Sequence, residues 1–195
     1  MKGFGDNNRT KKKAIGKKIS SLQNDKLISD ALSLHSIGKI KEALEIYNFL
    51  IQNKIYDPRI LNNLGTIYSQ IKQFDKAILL FDESIKKFPY CIEAYSNLAN
   101  ILVAKGRNDT AKSILEKAIE LNPKFLKAYS ILAGIFVGEG NLKQAEFFLK
   151  KSLEINPNDI NALVNLACVL KDSGNPKQAE RFLNCLLYTS DAADD

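Results

Sequence analysis

Large apolar residues recur along this chain at helical spacing and return in the same order every thirty-four residues. Counting each unit from the residue after Gln23, the fourth place holds Leu27, Leu61, Tyr95, Tyr129 and Leu163. The eleventh holds Leu34, Tyr68, Leu102, Phe136 and Leu170, and the twenty-fourth Tyr47, Phe81, Leu115, Leu149 and Leu183. Two other places are always small. The eighth holds Ala31, Gly65, Ala99, Ala133 and Ala167; the twentieth holds Ala43, Ala77, Ala111, Ala145 and Ala179. Apolar positions three, four and seven apart share one face of a helix, so each unit predicts two amphipathic helices. The small places predict points where two helices approach closely. Gly38, Gly106, Gly140 and Gly174 fall between the two helices, where a left-handed residue ends the first one. A fixed period of this length predicts a stacked array in which each unit buries its apolar face on the next.

The units run over 24–57, 58–91, 92–125, 126–159 and an incomplete 160–184. Pro58 and Pro176 suit a first helical turn, and Asp159 suits an N-cap. Departures from the pattern are local. Asp30 stands at an apolar seventh place, Lys72 replaces the turn glycine of the second unit, and Ile55 stands where later units have Pro89, Pro123 and Pro157. Together these places resemble the tetratricopeptide repeat over residues 24–184. The resemblance implies an all-α fold, an α-solenoid in which antiparallel helix pairs wind into a right-handed superhelix. It also implies a function: a non-catalytic scaffold that takes a peptide or a partner helix along the concave face.

The chain ends are read separately. Residues 1–23 lack hydrophobic periodicity and are expected to be a disordered basic arm. Residues 1–20 carry seven basic residues against one acidic, which equals the net charge of +6 for the whole chain, so the repeats themselves are neutral in sum. The arm admits nucleic acid or an anionic membrane as partner through counterion release; a solubilising tail accounts for the same lysines. The opening Met1-Lys2-Gly3-Phe4-Gly5 with its lysine run resembles the leader of a group of bacterial repeat proteins. In that group a transferase or oxygenase domain often follows the array. That implies an alternative function, the substrate-recruiting region of a larger glycosyltransferase, sulfotransferase or oxygenase. Cys185 to Asp195 resembles the translation of a sequencing adapter, so these residues are expected to be a non-native tail on a truncated fragment. Leu186 and Leu187 also fit apolar places of a real helix. An uncapped fifth unit would leave an apolar face and predicts self-association through that end.

Composition narrows the classes further. The chain has 195 residues, of which 45% are hydrophobic, enough for a folded array. No run reaches the roughly 18 apolar residues of a membrane span, and no signal sequence follows the lysines, so a cytoplasmic location is expected. Three cysteines without a C-x-x-C pair argue against a disulfide framework or a zinc site. Cys91 and Cys168 read as packing residues.

Catalytic chemistry finds no footing. With His35 as the one histidine there is no Ser-His-Asp set and no H-E-x-x-H site. No phosphate-binding glycine loop occurs, and Asp82-Glu83 reads as a solvated helix face. No catalytic, metal or cofactor site is expected within these residues. What the pattern offers is a groove. The second, sixth and ninth places of each first helix share a face. They bring together Arg59, Asn63, Asn97, Asn100, Lys127 and Asn165 as candidate peptide-binding residues. A carboxamide both donates and accepts, so a row of them can bond an extended backbone whatever its sequence. The row Asn63, Asn97 and Asn165, interrupted by Ile131, is similar to the asparagine row of the O-linked N-acetylglucosamine transferase. Hydrogen bonding within the array accounts for the same asparagines, and both readings stand at this point. The terminal-carboxylate clamp of chaperone-binding repeats is not expected, because the fifth place (Ile28, Asn62, Ser96, Ser130, Val164) carries no cation.

Overall fold

The computed structural model describes residues 21–180 and 182, and all of the regular structure among them is helical. The helices are α1 (Ser21–Ser36), α2 (Ile40–Gln52), α3 (Pro58–Gln70), α4 (Phe74–Lys87), α5 (Ile92–Ala104), α6 (Asn108–Leu121), α7 (Leu126–Gly138), α8 (Leu142–Ile155) and α9 (Ile160–Asp172). Residues 176–180 are helical again, starting at Pro176. First helices therefore open at Pro58, Ile92, Leu126 and Ile160, one period apart. At the front the boundary moves: α1 starts at Ser21, so residues 21–23, assigned to the arm from their lack of periodicity, are helical. A helix needs no apolar face in its first turn, which is why the pattern missed them. The lysine-rich arm and residues 183–195 lie outside the described residues, and with them the expectations of nucleic-acid or membrane contact and of self-association. Among the described residues no helix is long and apolar enough to cross a membrane.

Two compact units make up the chain, residues 1–60 and 61–195. In the first, α1 packs on α2. Ile28, Ala31, Ala43, Tyr47 and Leu50 are buried there. The Tyr47 hydroxyl lies 3.2 Å from His35 Nδ1, which gives the one histidine a packing role.

In the second unit each helix packs on its successor from α4 to α9, and the first helices α5 and α7 also touch. One core gathers Ala77, Phe81, Ala99, Leu102, Ala111, Leu115, Ala128 and Leu132. A second gathers Ala133, Ala145, Leu149, Ala162, Leu166, Ala167 and Leu170. The small eighth and twentieth places are thus buried in sequence. Gly65 shows why one of them is smaller still: a Cβ there would stand 2.7 Å from Phe81 Cε1.

The turns repeat at the level of single bonds. The N–H of Lys39, Gln73, Arg107, Asn141 and Asn175 donates to the carbonyl of Leu34, Tyr68, Leu102, Phe136 and Leu170, at 2.8–2.9 Å. This closes each first helix around a left-handed residue. That residue is Gly38, Gly106, Gly140 or Gly174, with φ from 71° to 81°, and in the second unit Lys72 at φ 61°. Between hairpins, the hydroxyls of Tyr95 and Tyr129 donate to the carbonyls of Pro89 and Pro123 at 3.0 and 2.9 Å. A buried phenol that can reach a turn carbonyl satisfies both groups at once.

Consecutive hairpins are also linked by charge near their turns. Lys105 Nζ lies 2.6 Å from Asp75 Oδ1. Lys112 Nζ lies 2.9 Å from Asp109 and 3.1 Å from Glu139. The hydrogen bonds it donates, to Asp109 first and then to Glu139, hold the Lys112 ammonium above its ordinary pKa. The same ammonium sits 5.4 Å from the centre of the Phe136 ring, which stacks on Phe148.

Candidate peptide groove

First helices bury one face and leave the other open. On α5, Ala94, Tyr95, Leu98, Ala99, Ile101 and Leu102 are buried. Glu93 and Asn100 are exposed and Asn97 is half-buried. On α7, Ala128, Tyr129, Leu132, Ala133 and Ile135 are buried, whereas Lys127 and Gly134 are exposed. On α9, Asp159 caps the helix through its carboxylate, which accepts from the N–H groups of Asn161 and Ala162. Asn161, Val164, Asn165 and Cys168 then face outward. Cys168 is therefore not a packing residue: its place is the ninth, on the open face, and not the buried eighth beside it. Cys91 is half-buried, and burial pushes its thiol pKa up.

The candidate residues separate by what they touch. Asn97 bridges successive helices: its Nδ2 donates to Asn62 Oδ1 at 2.8 Å, and its Oδ1 accepts from Lys127 Nζ at 3.3 Å. The structure thus joins Asn97 to Lys127, two of the expected residues, through hydrogen bonding within the array. Asn63 is half-buried on α3, while Asn100 and Asn165 are exposed on α5 and α9. Arg59 is held locally. Its Nε and Nη2 donate to Asp57 Oδ1 and Oδ2 at 3.0 and 2.8 Å, and its backbone N–H donates to Oδ1 at 2.8 Å. Burial raises the Asp57 pKa, but the hydrogen bonds and charge of Arg59 outweigh it and leave the carboxyl below its ordinary value. Asp57 thereby starts α3 and occupies a guanidinium that the face pattern assigned to the groove.

Asn62 is the residue that sequence reasoning missed. Its column, the fifth place, was read only for cations. The signal available was an Asn one residue before the expected ladder, and nothing in the spacing says which of two adjacent carboxamides turns toward the next helix. Among the described residues no cluster of three or more His, Cys, Asp or Glu side chains could hold a metal ion.

Comparison with known proteins bears on the whole arrangement. The family model described as "Tetratricopeptide repeat" matches residues 72–135 and 136–190. A probable UDP-N-acetylglucosamine–peptide N-acetylglucosaminyltransferase SEC of Arabidopsis thaliana is 32% identical over 83 residues, 43% of this chain and 8% of that protein. The BBSome complex member BBS4 of Bos taurus is 45% identical over 53 residues, 27% of this chain and 10% of that protein. These matches thus span a tenth or less of the curated relatives' length. Among solved structures, MamA (residues 41 to the end) from Desulfovibrio magneticus RS-1 superposes with a TM-score of 0.75 at 18% identity, covering 88% of this chain and 97% of that one. A repeat protein from Parabacteroides merdae gives 0.72 at 21% identity, covering 86% of this chain and 66% of that one. At these identities the structural likeness concerns the fold alone.

Proposed function

This chain belongs to the tetratricopeptide repeat family, and on that premise we propose that it is a protein-interaction scaffold that binds a peptide or a partner helix along its first helices. The observation that carries this reading is the open face of the second unit. Helices α5, α7 and α9 bury most of their apolar residues on one side and present Asn100, Lys127, Asn161 and Asn165, with Val164 among them, on the other. An extended segment laid across them would meet carboxamides that can donate and accept. Preorganised hairpins bind with little rearrangement, which limits the ordering cost of association.

A peptide selected by display on the immobilised chain provides the ligand for a test. Capture should be lost when Asn63→Ala is combined with Asn97→Ala. Undiminished capture by that double variant would remove the groove from the reading.

One observation favours a second reading. The Arabidopsis thaliana relative is named for a glycosyl transfer to peptide, and the stretch it shares with this chain covers 43% of the residues here. On that reading these repeats recruit substrate for a larger enzyme. Reading the source locus past the codon for Asn184 tests it: a continuing frame that encodes a folded α/β domain supports recruitment, and an early stop ends it.

A further inference from the structure

Resting on the groove reading, the geometry points to a partner segment with a carboxylate side chain, received by Lys127 and positioned through Asn97 and Asn62. The three residues lie on successive first helices, α3, α5 and α7. Their hydrogen bonds run head to tail: Lys127 donates to Asn97, and Asn97 donates to Asn62. Asn97 thus has one N–H and one lone pair already committed, which leaves half its capacity for a passing backbone. The open end of the chain of bonds is an ammonium, with three donors and no acceptor, and Asn97 takes one of them. Its complement is an acceptor, and a carboxylate meets both the hydrogen-bonding and the charge requirement.

The charge of Lys127 is uncompensated, unlike that of three other basic residues on the repeats. Lys105 sits on Asp75, Lys112 on Asp109 and Glu139, and Arg59 on Asp57. Among the described residues no acidic oxygen lies within ion-pair distance of Lys127, which is exposed. Seven residues further along α7, Gly134 faces open space, since an added Cβ would meet nothing within 4 Å. A bound backbone can therefore come close to the helix about 10 Å further along from Lys127. Exposed Glu93, at the same repeat place on α5, disfavours a second anion one helix away. The face is suited to one acidic side chain within a segment, and not to an acidic run.

The test uses the full chain and three acetylated, amidated Ser-Ala peptides that differ in one central residue, Glu, Gln or Lys. Amidation leaves the side chain as the one source of carboxylate. Titrations followed through the backbone and Asn side-chain amide signals of the labelled protein give each affinity. The Glu peptide should bind about three- to five-fold tighter than the Gln peptide, the scale of one exposed charge pair, with the Lys peptide weakest. The Asn97 side-chain signals should move with it. Lys127→Gln should bring Glu and Gln to parity, and salt should do the same. Asn62→Ala should cut the Glu advantage about two-fold while leaving the Gln peptide unchanged, which a loss of folding would not do. Equal binding of Glu and Gln peptides to the unaltered chain, or a Glu advantage that survives Lys127→Gln, overturns the inference. If the Gln peptide still binds in those cases and is lost with Asn63→Ala/Asn97→Ala, the groove reading stands without it. Failure of all three peptides to bind counts against both.

Discussion

Gly65 offers a sharp test of the packing, because two opposed effects act on the same methyl group. Gly65 lies inside α3, where replacing glycine by alanine gains about 1 kcal/mol of helix propensity. The new Cβ, however, would stand 2.7 and 2.8 Å from Phe81 Cε1 and Cζ. Comfortable carbon contacts lie near 3.5–4.0 Å, so the ring would have to retreat by roughly 1 Å. Phe81 is 0% exposed and has no solvent side to retreat toward. Overpacking of this kind costs about 1–3 kcal/mol, which leaves Gly65→Ala destabilising by about 1 kcal/mol net. A leucine in place of Phe81 changes the sign. Ala99 with Leu115 and Ala133 with Leu149 occupy the same two places in the next units, and all four are buried. Phe81→Leu alone should cost about 1–2 kcal/mol, since a Phe truncated all the way to Ala costs about 3–5. In that background Gly65→Ala fills the vacated space and keeps its propensity gain, so it should stabilise by about 1 kcal/mol. The double-mutant coupling is then about 2 kcal/mol, well above the roughly 0.5 kcal/mol within which independent sites add. Urea unfolding followed by far-UV circular dichroism measures the four proteins. Equal slopes are required, because an array can lose one unit before the rest. If Gly65→Ala destabilises to the same extent with Phe81 in place and in the Phe81→Leu background, the steric account of that glycine is wrong.

Other expectations are simpler. Tyr95→Phe and Tyr129→Phe each remove one hydroxyl from a turn carbonyl, and each should cost about 1 kcal/mol, additively, in the same unfolding assay. Lys72→Gly relieves a left-handed lysine and should stabilise by about 0.5–1 kcal/mol; an unchanged midpoint would show the strain to be absent. The Asp57 carboxyl is held below its unfolded value, so the stabilisation it contributes is complete at neutral pH and is lost as pH falls from about 4 through the folded value. Asp57→Asn should flatten stability over that acid range while retaining a residue able to cap α3, and an unaltered acid profile would contradict the Arg59 pairing. Cys168 should react with a maleimide well before Cys91, because the first is exposed and the second is half-buried with a raised pKa; peptide mapping by mass spectrometry reads the order.

Much of the fold was legible because its constraints recur. A place that must be small in one unit must be small in the next, so Ala99, Ala133 and Ala167 declare the helix contacts without any coordinate. The turn was equally plain, down to the unit where lysine adopts the glycine conformation. The candidate groove was legible only as a face. Helical spacing assigns Asn97 and Lys127 to it, but periodicity is blind to the last two torsions of a side chain. It could not tell that Asn97 is tied to Asn62, nor that Arg59 folds back two residues onto Asp57. Cys168, expected to pack, is exposed although Ala167 before it is buried, since neighbours on a helix point about 100° apart.

The ion pairs near the turns also give the hairpins an order. Backbone geometry alone would let any unit follow any other. Yet Asp75 is met by Lys105 from the following hairpin, and Lys112 by Glu139 from the one after that. Lys105 and Glu139 occupy the same place in their units with opposite charge. Remove residues 92–125, a whole period, and Glu139 would arrive opposite Asp75, carboxylate against carboxylate, with Ile78 where Lys112 had been. The array is modular in shape but addressed in charge, and shortening it by one repeat would replace an attraction with a repulsion at the new seam.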